Sequence, residues 1–168
     1  MKTFSSLITL AALSVLLIYS GCGSKNSETL EQKNFKLFSN PYNSTAKTWK
    51  VDVNNSQYGV SNNGVDNTQD WTNFTINFSG SADSTVYHYT CSTNRPALSV
   101  WPSKGKWSFD SVNPTNTIDR DPLTDNLQVG YVLGANGTTL QLKFTYNGTG
   151  YSRVENVQGT WIFNLIPQ

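Results

Sequence analysis

The chain has 168 residues, 14% of them charged and 37% hydrophobic, and Asn, Ser and Thr supply 19 each. Strong helix formers are scarce, while five Trp, eight Tyr and eight Phe exclude the apolar-poor composition of a disordered chain. The formal charge is +1, and setting Lys2 aside leaves 11 basic against 11 acidic side chains, a balance with no electrostatic footprint for nucleic acid.

The first element is a leader. Met1-Lys2 precedes an apolar run from Leu7 to Ile18, about twelve residues, where a membrane-spanning helix needs roughly twenty. A basic start, a short apolar stretch and small residues at Ser20 and Gly21 predict a secretory signal over 1–21. Ser20-Gly21-Cys22 resembles the lipobox of bacterial lipoproteins, in which the peptide is cut before a Cys that carries acyl chains. The resemblance implies lipidation, palmitate included, at Cys22. It also implies a membrane as partner and a place in the bacterial cell envelope, most simply the outer membrane, with the face left open. Two or three acyl chains give stable anchoring where one is marginal. With Cys22 acylated, Cys91 has no disulfide partner and reads as a small buried hydrophobe.

Residues 22–45 are polar and turn-rich around Asn40-Pro41, which predicts a flexible tether. Phe35, Leu37 and Phe38 are its apolar exceptions, suited to packing a short segment against the domain. The domain, 46–168, alternates with period two. Trp49, Val51 and Val53 share one phase, and after an Asn/Gly-rich loop through Asn62-Asn63-Gly64 so do Phe74, Ile76 and Phe78. Further strands are expected at 86–92, 106–110 and 117–120. Leu127, Val129, Tyr131 and Leu133 alternate next, and Gly134-Ala135-Asn136-Gly137 turns the chain into Leu140, Leu142, Phe144 and Tyr146. The last strand carries Trp161, Phe163 and Leu165 in phase, and no helix is expected past the leader. About eight strands joined mostly by tight turns predict an all-β fold, an up-and-down antiparallel barrel. A two-sheet β-sandwich is the alternative, with 54–70 and 93–104 as its crossovers.

Four phrases, Lys47-Thr48-Trp49-Lys50-Val51, Asn73 to Phe78, Val100-Trp101-Pro102 through Trp107-Ser108-Phe109, and Gly159-Thr160-Trp161-Ile162-Phe163, resemble a family of lipocalin-like bacterial envelope lipoproteins. The resemblance covers 46–167 and implies a lipocalin-like eight-stranded barrel, without a residue-level mechanism. Lipocalins proper open their first strand with Gly-x-Trp, and here Lys47 stands in place of that Gly.

Candidates for chemistry are few. His88 is the one histidine, out of phase with Tyr87, Tyr89 and Cys91, and reads as an outward strand residue. Asp119, Asp121 and Asp125 surround Arg120 with spacing that could suit a cation, but no Gly bends the loop as a tight calcium site requires. A solvated turn with an Asp–Arg pair is the simpler reading, so neither metal nor cofactor is expected. Paired carboxylates facing one cleft are not apparent, and the expectation is that the protein is not an enzyme. An eight-stranded barrel is either filled by side chains or holds one small ligand. Trp101 sits in a loop with Arg95, Pro96 and Pro102, and Trp71 is out of phase and expected to be exposed. Trp71, Tyr87, Tyr89, Arg95 and Trp101 are therefore the candidate binding residues for a small apolar molecule or a glycan at one barrel mouth. The alternative is a structural or accessory lipoprotein, partnered by an envelope protein, whose barrel is filled.

Overall fold

The computed structural model describes residues 27–39, 47–80, 87–95, 99–148 and 157–168. The predicted leader and Cys22 lie outside them. The described elements are α1 (Leu30–Ser39), β1 (Lys47–Val51), β2 (Val60–Asn62), β3 (Val65–Asp66), β4 (Thr75–Ser79), β5 (Tyr87–Cys91), β6 (Lys104–Phe109), β7 (Thr117–Arg120), β8 (Leu127–Leu133), β9 (Leu140–Tyr146) and β10 (Gly159–Pro167).

Period-two alternation fixes which side of each strand is apolar, and a sheet with one apolar face must cover it. In β9, Leu140, Leu142, Phe144 and Tyr146 are buried while Gln141, Lys143 and Thr145 face outward. Strands β1, β4, β5, β6, β7, β8, β9 and β10 pair antiparallel in that order, and β10 returns to β1 through Trp49 opposite Pro167 and Val51 opposite Leu165. That pairing decides between the two predicted architectures, because a sandwich would leave β1 and β10 as edges. The fold is an eight-stranded antiparallel barrel of lipocalin-like form. We call the end where β1, β5, β7 and β9 begin the lower mouth and the opposite end the upper mouth.

The connection after β1 is more than a loop. β2 prolongs the line of β1 along β10, with Val60 opposite Phe163 and Asn62 opposite Trp161. Residues 52–59 loop out between the two, tied by Asp52 N–H to Asn164 O at 2.9 Å and Asn164 N–H to Gly59 O at 2.8 Å. β3 folds back on β2 through Asn63 and Gly64, both with positive φ, the backbone that Asn-Gly adopts readily.

The structure corrects two expectations for the N-terminal region, a tether over 22–45 and no helix past the leader. α1 occupies part of that segment. Thr29 caps it, its Oγ1 accepting from Gln32 N–H at 3.1 Å while Gln32 Oε1 accepts from Thr29 N–H at 2.9 Å, a reciprocal capping box. Glu28 and Lys36 pair across its exposed side. Phe35 and Phe38, three residues apart and so on one helix face, enter the lower mouth and are fully buried. Two of the apolar exceptions in the tether, Phe35 and Phe38, are thus part of the barrel core, and Leu37 is half-buried.

Candidate functional site

Each mouth is closed by side chains that the chain itself delivers. At the lower mouth the Phe38 ring meets Phe78 at 5.2 Å, Trp107 at 5.3 Å and Tyr131 at 4.9 Å between centroids, and Phe35 stacks on Tyr87 at 4.4 Å. The helix is fixed by polar contacts around this plug. Trp49 Nε1–H donates to Phe38 O at 3.0 Å, and Asn34 Nδ2–H donates to Tyr131 Oη at 2.7 Å. Lys47 Nζ donates to Leu37 O at 3.1 Å and to Gly137 O at 2.6 Å, and lies 4.2 Å over the Trp49 ring. The residue that departs from Gly-x-Trp therefore joins α1, β1 and the β8–β9 turn. Burial lowers its pKa from the ordinary lysine value.

At the upper mouth the 3-10 turn Thr68–Trp71 and residues 99–101, ahead of β6, fold inward. Trp71 is 2% exposed and edges onto Phe163 at 4.8 Å and Phe74 at 5.1 Å, which corrects the expectation of an exposed ring. Trp101 is 1% exposed and edges onto Phe144 at 5.5 Å and Tyr89 at 5.6 Å. Two arginines latch its segment by successive carbonyls. Arg120 Nη1 donates to Val100 O at 2.7 Å, and Arg95 Nη1 donates to Trp101 O at 2.7 Å.

Arg120 is the centre of this end. It is 0% exposed, its guanidinium carbon lies 5.2 Å from the Trp101 ring, and its Nη2 donates to Asp125 Oδ2 at 2.5 Å. Asp121 lies 3.8 Å from Nε, accepts from Tyr89 Oη–H at 2.7 Å and accepts from Lys106 N–H at 2.8 Å. The Asp–Arg pair expected in a solvated turn is thus present, but its cation is inside. Gly105 makes room for the network, since a Cβ there would collide with Asp121 Oδ1 and Tyr89 Oη. Burial and the bond to Asp121 raise the Tyr89 pKa, and burial pushes the Cys91 thiol up to about 12. Such a phenol and thiol stay protonated near neutrality, the form that packs and donates rather than attacks.

Of the candidate binding residues, Trp71, Tyr87, Tyr89 and Trp101 are core side chains, Tyr87 in the lower half against Phe35 and the others towards the upper mouth. Arg95 is half-buried and holds the Trp101 segment. They do not converge on one surface. His88 faces outward as its phase predicts, its carbonyl accepting from Trp107 Nε1–H at 3.1 Å. Among the described residues no three His, Cys, Asp or Glu side chains gather where they could hold a metal ion. Arg120 and Lys47 are the residues whose importance composition hides. The signal for Arg120 was its phase, shared with the buried Ile118.

Three cavities bounded by described residues lie on the outer wall over β7 to β10, at about 340, 650 and 230 Å³. No family model matches the chain, and no curated protein or solved structure is found to be similar to it.

Proposed function

We propose that the protein is a lipid-anchored, non-catalytic barrel of the bacterial envelope, related in kind to lipocalin-like lipoproteins, that acts as a structural or accessory interaction subunit through its outer surface. The observation that carries this reading is the closure of both mouths by the chain's own rings, Phe35 and Phe38 below and Trp71 and Trp101 above, all 2% exposed or less. A barrel filled in this way offers partners its wall and loops. The leader and the Ser20-Gly21-Cys22 phrase support the anchor.

Native mass spectrometry of the detergent-extracted full-length protein tests the filled interior. The expected mass is that of the acylated chain alone. A small molecule retained at one per chain and released on unfolding would return the function to ligand binding at a mouth, with Trp71, Tyr89, Arg95 and Trp101 displaced to admit it. Labelling with a palmitate analogue tests the anchor, and the label is expected to disappear in Cys22→Ala.

A further inference from the structure

We propose that the outer wall of β8, β9 and β10 is a binding face for an acidic saccharide, seated over Gly130 and held by Lys143. The inference rests on the reading that this barrel works through its outside. In β8, Val129 and Tyr131 enter the core, so Gln128, Gly130 and Val132 face out. Gly130 stands mid-strand, where the missing side chain weakens a sheet through backbone entropy and lost cross-strand packing. Two common reasons for a glycine do not apply to it. Its φ is not positive, and an added Cβ would meet only Lys143 O at 3.5 Å and Asn116 O at 3.9 Å, ordinary contact distances. Its register runs on without a bulge, Thr117 on one side and Lys143 on the other, which leaves a bend of the barrel wall or a close approach from outside, and the open depressions at this position favour the second.

Two depressions, of about 340 and 650 Å³, meet at this glycine, and both are also lined by Lys143, its register partner on β9. Lys143 is exposed, has no ion pair among the described residues, and is the one charged side chain among the described residues that line either depression. Around it the polar groups are neutral amides and hydroxyls, including Gln128 and Gln141. Neighbouring contacts pre-align them. Gln141 Nε2–H donates to Asn164 Oδ1 at 2.8 Å, and the Thr145 and Thr160 hydroxyls share a bond at 3.2 Å. Val132, 64% exposed, adds an apolar patch for the C–H face of a sugar ring. Neutral donors and acceptors match sugar hydroxyls, and a single ammonium matches the carboxylate of one acidic sugar. A nucleic-acid strand or an anionic lipid surface calls for several basic groups together, and this wall offers one.

The test is titration calorimetry of the full-length protein in detergent with oligogalacturonate, beside neutral dextran oligomers of the same length. Saturable binding of oligogalacturonate that weakens with salt is expected, with dextran at least about tenfold weaker. Lys143→Gln is expected to lose about tenfold in affinity together with the salt dependence. Gly130→Thr is expected to lose at least as much by filling the depression. Gly130→Ala, which adds only the carbon that fits, should weaken binding while raising the melting temperature by about 1–4 °C. Failure of the unsubstituted protein to bind oligogalacturonate overturns the proposal, as does unchanged binding by both Gly130 variants. Either failure leaves the filled-barrel reading standing. A molecule found inside the barrel would overturn that reading without altering the effect of the wall substitutions.

Discussion

The lower and upper mouths of this barrel are stoppered by different chemistry. Below, a short helix contributes two Phe rings to a nest of aromatic side chains, and polar contacts from Asn34 to Tyr131 and from Lys47 and Trp49 to the helix end lie around its rim. Above, the rings of Trp101, Phe144 and Tyr146 lie around a buried guanidinium whose hydrogen bonds reach a loop carbonyl and Asp125, with Asp121 close by. An apolar plug gains by area removed from water and loses in proportion to what is removed. A buried cation is different: it is tolerated only while its partners are in place, so removing one member strands the others. The lower end should therefore respond to volume and the upper end to the completeness of its network.

The largest effects are expected at the two centres. Arg120→Ala should cost about 3–5 kcal/mol in urea unfolding, because Asp125 and Val100 O lose a buried donor. Phe38→Ala should cost a similar amount, about 3–5 kcal/mol, through the cavity left among Phe78, Trp107 and Tyr131. Benzene separates the two. It should raise the melting temperature of Phe38→Ala by filling an apolar cavity and leave Arg120→Ala unchanged, and rescue of both would erase the contrast between the ends. Gly105→Ala should come next, at about 1–3 kcal/mol, since the new Cβ collides with Asp121 and Tyr89.

Lys47→Met probes the lower end with a smaller change. Leu37 O and Gly137 O lose their donor, for about 1–2 kcal/mol, and amide exchange should accelerate in α1 and not in β5–β6. The smallest effect near neutrality is the pH dependence. Cys91 has an ordinary pKa of 9.0 and is held up at about 12 by burial, and burial also raises Tyr89 above its ordinary 10.0. The unfolded chain thus releases protons that the folded chain retains, so the contribution of these two groups should be constant from neutrality to about pH 9 and fall from there to about pH 12. Cys91→Ala should delay the onset of that fall in urea titrations. An alkaline onset that is the same in Cys91→Ala as in the unsubstituted protein would contradict it.

How much of the fold was legible depends on the range of each interaction. Leu140, Leu142, Phe144 and Tyr146 announce their strand because period two is a local property of the backbone. The capping box at Thr29 and Gln32 and the Phe35/Phe38 spacing were equally local, but a polar stretch behind a leader reads as a tether unless those signals are weighed above composition. Trp71 misleads for the opposite reason. Its phase against β4 points outward, yet it sits on a 3-10 turn, where phase with a neighbouring strand predicts nothing. Four of the five candidate binding residues stand out by ring chemistry, and rings serve a core and a pocket equally well.

By itself the sequence determined the β-class, the alternation of every long strand and the separation of aromatic interior from Asn-, Ser- and Thr-rich exterior, since each arises from short-range geometry and the burial of apolar area. Only the tertiary structure decided that β10 closes on β1 and that α1 and two loops enter the mouths. It likewise decided that Arg120 would lie at full burial. Those facts depend on contacts between residues as distant as Trp49 and Pro167, and on whether the space inside the closed wall is large enough to stay empty once the rings have taken their places.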